Sequence, residues 1–465
     1  MLEKQDPTRI QRLFNAHVES SLLQAAIKLK LLEPLLKQPL TPEALAEIHG
    51  YDLQGVTVIL RGLDSLGLVS RNSQNEYQLS DKYRGAFDPE HDAFSGPAAA
   101  EASQFWDAAA EIKEAQFESL ICLALDRQDQ KKTATNGVIE LLWGYAWTAS
   151  LMALAELGIL EAAERPYHRS DLMARSSIPA STLNTLLTVG QRCGVLHIIA
   201  DEIALTEAAN VAFGKGTVKN HIHWIGQRLL LDRRHFWHSL GQLMSCVSSG
   251  EPASKHSSPG ENDAFRRTFI TVNQPLRPLL QQVSDKVALA LKAQKRPFHI
   301  LEIGAGIGNW GMALANAHAD SRVTAVDTEG ALAETQRIVA HAYLSERYTW
   351  QPGNIMTYPY EAVQYDLVVL NEVMHTIPPT HLPNWLTQVT KAVKPGGLLL
   401  IADMMLDNNY AGPPRHLLAG VKLFVSGGGQ LLSMDDHSLR LQQVGLSPIH
   451  MSRLPTTDLI IARNS

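Results

Sequence analysis

The 465 residues carry 45% apolar and 19% charged side chains, a globular composition with a formal net charge of −6 that gives no field to draw the whole molecule to nucleic acid or an anionic membrane. Three widely spaced cysteines, Cys122, Cys193 and Cys246, build neither a disulfide framework nor a CxxC pair. The opening MLEKQDPTRI places mixed charges and a proline where a signal peptide needs an apolar stretch, and no apolar run approaches the roughly 20 residues of a bilayer span, so a cytoplasmic protein without membrane contact is expected.

In chain order, the first feature is a duplication. Leu31-Leu32-Glu33 recurs as Ile159-Leu160-Glu161, Gly67-Leu68-Val69 as Gly194-Val195-Leu196, and Leu79-Ser80-Asp81 as Leu205-Thr206-Glu207, at offsets of 128, 127 and 126. Each copy reads as an apolar helix, a second helix capped by Thr41 or by Ser170-Asp171, and a third over residues 53–66 or 180–193. Two short extended segments follow, separated by polar turns at 72–75 and 200–202. Three helices and a β-hairpin make a winged helix, expected over 1–95 and again over 140–216, with a helical connector at 96–139. DNA binding is disfavoured because the third helices hold only Arg61 and Arg192, too few bases for a phosphate footprint.

Residues 217–296 read as a helical linker. It comprises an aromatic helix pair over 217–248, a Ser/Gly/Pro-rich loop to Asn262 and one helix over 263–293. Phe236, Trp237, Phe265, Phe269 and Asn273 on these helices, with Phe424 further on, are candidates for an acceptor pocket, although aromatics at helical spacing are more often core. His221, His223, His235 and His238 lack a carboxylate or cysteine at ligand spacing, so no metal is expected there.

The segment 297–465 carries the chemistry. A buried-strand pattern, His299–Ile303, runs into Gly304-Ala305-Gly306-Ile307-Gly308 and then a helix from Trp310. Glycines at such a turn let main chain approach a ligand at the sheet edge. A second strand ends at Asp327, about 20 residues on, where a carboxylate can bind ribose hydroxyls. A nicotinamide enzyme shares that much. Gln351-Pro352-Gly353-Asn354-Ile355, a strand into Asn371-Glu372-Val373-Met374-His375, and Lys394-Pro395-Gly396-Gly397 before a last strand complete the series.

That series resembles the motifs of class I S-adenosylmethionine-dependent methyltransferases. With the winged helix and the tail through Asp403 to Gly427-Gly428-Gly429, it is similar to the O-methyltransferase family of caffeate, acetylserotonin and bacterial natural-product enzymes. The likeness runs over 140–465, leaving the first winged helix as an additional copy and the second as the dimerisation type. It implies an α/β Rossmann-like domain with a mostly parallel seven-stranded sheet, preceded by two mainly helical winged-helix domains.

The resemblance also implies S-adenosylmethionine as cofactor and S-adenosylhomocysteine as product. Glu302, Gly304, Gly306, Gly308, Asp327, Thr328, Asn354, Ile355 and Asn371 would bind it, with His375 as general base and Asp403 as its partner. A phenol's pKa of about 10 makes a neutral imidazole a fitting proton acceptor. Two positions depart from the family: Thr376 follows the histidine where Asp is usual, and Leu431 stands where a second glutamate is usual. O-methylation of a phenolic or enolic hydroxyl in secondary metabolism is the expectation. C- or N-methylation, non-methylating use of the cofactor, and a binding role are the alternatives. The expected partners are a small-molecule acceptor and a second subunit, forming a homodimer through the winged helices. The extra copy either enlarges that interface or occupies it internally, and docking of a carrier protein stays open.

Overall fold

The computed structural model describes residues 6–87, 141–142, 144–175, 179–253, 259–292, 298–360 and 365–464. The expected connector at 96–139 lies outside them. The chain divides into two compact units, Met1–Ala253 and Ser254–Ser465.

The N-terminal unit holds both winged helices. In the first copy the elements are α1 (Pro7–Leu13), α2 (Ala16–Lys28), α3 (Leu32–Lys37), α4 (Pro42–His49), α5 (Leu53–Ser65), β1 (Val69–Arg71), β2 (Tyr77–Leu79) and α6 (Asp81–Phe87). The second has α7 (Gly144–Glu156), α8 (Ile159–Ala162), β3 (Tyr167–His168), α9 (Arg169–Arg175), α10 (Ala180–Arg192), β4 (Leu196–Ile199), β5 (Glu202–Leu205) and α11 (Glu207–Ala212).

The repeat extends to detail. Helices α2 and α7 have 13 residues each, as do α5 and α10. The Leu40↔Tyr77 bridge of the first copy reappears as the β3–β5 pair of the second. Thr41 caps α4 as its sequence suggests, its hydroxyl accepting from Ala44 N–H at 3.2 Å. Helix α9 starts at Arg169, ahead of the Ser170-Asp171 pair expected to cap it. The aromatic segment forms three helices instead of two, α12 (His221–His235), α13 (Trp237–Gly241) and α14 (Leu243–Ser249).

The C-terminal unit opens with α15 (Pro259–Asn273) and α16 (Arg277–Lys292), where one helix was expected from 263 to 293. The break is a 3₁₀ turn at Gln274–Leu276, placed where Pro275 and Pro278 supply no N–H for a continuous ladder. Alternating strands and helices follow: β6 (His299–Ile303), α17 (Asn309–Ala317), β7 (Arg322–Asp327), α18 (Glu329–His341), β8 (Tyr348–Pro352), β9 (Tyr365–Asn371), α19 (Leu382–Thr390) and β10 (Val393–Asp403). The chain ends in α20 (Pro414–Gly427), α21 (Met434–Gln443), β11 (Leu446–Arg453) and β12 (Asp458–Asn464).

The seven strands lie in the order β11-β12-β10-β9-β6-β7-β8, with the β6 to β10 set mutually parallel and β12 antiparallel to both its neighbours. The near-continuous apolar runs Ile300–Ile303 and Leu398–Ala402 are explained by burial on both sheet faces. One core joins Trp310, Met312, Leu332 and Val339 to one face; the other joins Val373, Met374, Trp385 and Leu386 to the opposite face. Strand order reverses between β6 and β9, so the crevice at their C-terminal ends is the topological switch point where such sheets take ligands.

Candidate functional site

Four strand ends bring the expected residues of the C-terminal unit together. After β6, the backbone turns through Gly304, Gly306 and Gly308 at φ of 72°, 54° and 72°, a region that side chains rarely enter. Gly304 is closely seated: a Cβ there would lie 2.4 Å from Val373 Cγ2. The loop is tied to β7, with Gly304 N–H donating to Val326 O at 2.9 Å and Gly306 N–H to Asp327 Oδ2 at 3.1 Å. Thr335 of α18 donates from its hydroxyl to Gly306 O at 2.6 Å. Thr328 caps α18, accepting from Ala331 N–H at 3.4 Å.

Beneath the loop, Glu302 is fully buried and accepts from Gly311 N–H at the start of α17. Burial pushes its carboxyl up to about 8, so it is largely protonated at neutral pH.

Asp327 is 2% exposed, and both its oxygens are fully engaged. Oδ1 accepts from Thr328 N–H at 2.8 Å and Arg266 Nε at 3.2 Å; Oδ2 accepts from Gly306 N–H and from Arg266 at 2.6 Å. Arg266 comes from α15, and sequence reasoning missed it because nothing distinguishes it from Arg267, which pairs with Glu334 instead. The pair of guanidinium donors supplies to one carboxylate what a ribose diol would supply. The carboxylate therefore fits a nucleoside, with Arg266 standing in for the two hydroxyls.

At the end of β9, Asn371 and then Glu372, in a left-handed conformation at φ 54°, lead into a single 3₁₀ turn, Met374–Thr376. That turn carries His375, 7% exposed, next to the end of β10. His375 Nδ1 is hydrogen-bonded to Asp403 Oδ1, and its backbone N–H donates to Asp403 Oδ2 at 3.3 Å. An ionised carboxylate only accepts, so Nδ1 carries the proton and Nε2 the lone pair.

Burial by itself would lower the His375 pKa, but the charge and hydrogen bond of Asp403, with Glu372 beyond, hold it above the ordinary imidazole value. Burial raises the Asp403 carboxyl in turn, and the imidazole overcomes this to keep it below the usual carboxylate range. Glu372 Oε2 lies 3.8 Å from Nδ1 and is the second carboxylate sequence reasoning missed.

The family departures have local explanations. Thr376 turns its hydroxyl back to Val373 O at 2.7 Å, and Leu431 packs with Leu406 and Leu417 in an apolar cluster. Gly429 admits the chain against His375: a Cβ there would fall 2.4 Å from His375 O, which also accepts from Gln430 N–H at 3.0 Å.

Other candidates fare differently. Asn354 spends its side-chain oxygen on Met356 N–H at 2.9 Å, and Ile355 offers its carbonyl to Tyr360 and Trp385. Phe265 and Phe269 pair on α15 with ring centroids 5.9 Å apart, and Asn273 donates back to Phe269 O. Phe424 is 2% exposed on α20. Trp237 and Phe236 belong to the N-terminal unit, and the Trp237 ring is stacked on His17. Among the four histidines, His223 pairs with Glu161 and His221 with Asn210. Glu372, His375 and Asp403 place ligand atoms within 4.8 Å of one another. A cation there would have to displace the Nδ1 proton, so metal binding and the base tautomer exclude each other.

Residues 300–397 match the model described as a methyltransferase domain, and residues 11–84 match the O-methyltransferase dimerisation domain. Bovine acetylserotonin O-methyltransferase is 22% identical over 69% of this chain and 95% of its own. These matches make the chain an S-adenosylmethionine-dependent methyltransferase that is similar to the O-methyltransferases. Methyltransferase str2 of Strobilurus tenacellus is 32% identical over 23% of this chain, and the match spans only 36% of that protein's length.

Two solved structures extend the likeness in fold. An O-methyltransferase family 2 protein of Planctomyces limnophilus, in complex with apigenin, aligns over 100% of this chain and 98% of its own at 14% identity and TM-score 0.53. PigF with S-adenosylhomocysteine aligns over 71% of this chain and all of its own, at 19% identity and TM-score 0.57. The dimerisation-domain match falls on the first winged-helix copy, whereas the sequence reading assigns that type to the second. Among the described residues no helix is long and apolar enough to cross a membrane.

Proposed function

We propose that this methyltransferase methylates a small-molecule hydroxyl, phenolic or enolic, in natural-product metabolism, with His375 as general base. The observation that carries the reading is the His375–Asp403 pair at the switch-point edge of the sheet, beside the three-glycine loop. S-adenosylmethionine supplies an electrophilic methyl group on a sulfonium.

The chain's own residues do the rest. The glycine loop and Glu302 shape the floor for the methionine portion, Asp327 takes the ribose once Arg266 releases it, and the Asn354 and Asn371 segments flank the adenine and the methyl. Asp403 holds Nδ1–H, so Nε2 faces the acceptor as the proton acceptor, and its raised basicity suits a weakly acidic hydroxyl. Most of the rate would come from holding oxygen and methyl in line, since no covalent bond to the protein is needed. Glu372 lies 3.8 Å from Nδ1 with its carboxyl pushed up to about 8 by burial and by Asp403, so Asp403 is the negative charge that supports the imidazolium at neutral pH.

The test begins with calorimetric titration of S-adenosylhomocysteine into the wild type and Asp327→Ala, where binding by the first and loss in the second is expected. Phenolic and enolic acceptors are then screened with wild type and His375→Ala, with and without EDTA. Failure of the wild type to bind the nucleoside sinks the reading at its base. Methyl transfer that survives His375→Ala undiminished removes the histidine from it.

A further inference from the structure

The two winged-helix copies meet through the first long helix of each, and the contact is reciprocal residue by residue. His17 N–H, in the first turn of α2, donates to Thr148 Oγ1 of α7 at 3.1 Å, and that hydroxyl donates on to Leu13 O at 2.5 Å. Tyr145 N–H, in the first turn of α7, donates to Ser20 Oγ of α2 at 2.9 Å, and that hydroxyl donates to Leu141 O at 2.6 Å. Leu13 and Leu141, His17 and Tyr145, and Ser20 and Thr148 are equivalent pairs at the same offset of 128 that relates Leu31 to Ile159. The first N–H groups of a helix have no partner within it. Here each copy caps the other's helix with a hydroxyl from its own.

At the centre, Ala16 and Gly144, also equivalent, approach so closely that a Cβ on Gly144 would lie 3.0 Å from Ala16 O and 3.2 Å from Ala16 Cβ. A contact in which residue i meets j while the equivalent of j meets the equivalent of i is the isologous geometry of a two-fold dimer. It is made here inside one chain.

We propose that the second winged helix is the built-in partner of the first, so that the two form an intramolecular pseudo-dimer and the protein is a monomer. The segment matching the dimerisation domain contains α2, and every residue of α2 from Ala16 to Ala26 is buried within the single chain. A helix buried all round has no face left for a second copy. The polar side chains of Ser20 at 0% exposure and Gln24 at 3% would be poorly placed in a core unless a fixed partner met them, and the second copy does so with Tyr145 N–H and the Leu141 carbonyl for Ser20 and the Leu142 carbonyl for Gln24. The duplication thus replaces the second subunit that the sequence led one to expect. This inference does not depend on which acceptor is methylated or on His375.

Two measurements test it. Sedimentation equilibrium of the full chain from about 1 to about 100 µM, with and without S-adenosylhomocysteine, is expected to give 51.2 kDa throughout; a species of twice that mass, persisting on dilution, overturns the proposal. Hydrogen exchange reads the reciprocal caps directly. Ser20→Ala should speed exchange of the Tyr145 amide, and Thr148→Val that of His17, each by about tenfold. Unchanged protection in both folded variants overturns the exchanged-cap geometry.

Discussion

The His375 imidazole makes the first residue-scale prediction. Its pKa is held above the ordinary value, and the base works when neutral, so kcat/KM should rise with pH along a limb centred above 6.5. Asp403→Asn removes the anion responsible and should move that limb downward while lowering the plateau; a pH–rate profile of both proteins checks this. His375→Ala should cost on the order of 10²–10⁴ in rate.

Arg266 makes the second prediction, because its two donors and the ribose hydroxyls compete for Asp327. Arg266→Met should tighten binding of S-adenosylhomocysteine, and of 5′-methylthioadenosine, which lacks the amino-acid carboxylate, by about tenfold, the worth of a charge-assisted pair that no longer has to open. Calorimetry on both ligands decides; equal affinities would mean that Asp327 is not the ribose ligand.

His375, Asp403 and Asp327 were legible because strand ends and glycine turns leave a pattern along the chain. Arg266 and Glu372 were not. One reaches its partner from 61 residues away on another helix, and the other is set by a left-handed backbone that no composition rule marks.

At the scale of elements, α17 depends on what lies under its first turn. A Cβ at Gly311 would fall 2.3 Å from Glu302 Oε2 and 2.6 Å from the Tyr348 hydroxyl, both buried, so Gly311→Ala should destabilise the unit by about 1–3 kcal/mol, measurable by denaturant unfolding. Glu302 also sets a pH dependence. Its folded pKa of about 8 lies above the ordinary 4.5, so the unfolded chain gives up the proton first. Its contribution is whole below about 4.5 and is lost as pH rises towards about 8. Glu302→Gln should flatten that decline.

Gly429 bears on the base in the same way. An added Cβ would meet the His375 carbonyl, which is backbone and cannot swing aside, so Gly429→Ala should lower kcat while leaving S-adenosylhomocysteine affinity intact. Strands β6, β7, β9 and β10 were readable from apolar runs ended by Gly, Asp or Asn, whereas β8, β11 and β12 carry no such run. The break between α15 and α16 was readable in principle from Pro275 and Pro278, but the apolar periodicity continues across it and masked the stop.

At the scale of the whole chain, the duplication was visible as three short echoes, yet its meaning was not. Whether a second copy extends an interface or closes it depends on which hydroxyl meets which N–H, and hydroxyls at Ser20 and Thr148 look like any others in sequence. The two units make a separate thermodynamic statement. Each holds its own core, and the residues proposed for the nucleoside all fall in Ser254–Ser465. Calorimetry should therefore resolve two unfolding transitions, of which ligand moves only one. S-adenosylhomocysteine at 100 times its Kd stabilises the form that binds it by about 2.7 kcal/mol, which for a unit of this size raises the midpoint by roughly 5–10 °C. The transition of the winged-helix unit should stay in place, since none of the residues proposed for the nucleoside belongs to that unit. If instead a single transition moves as a whole, the two units unfold together, and the pseudo-dimer shares its stability with the cofactor site.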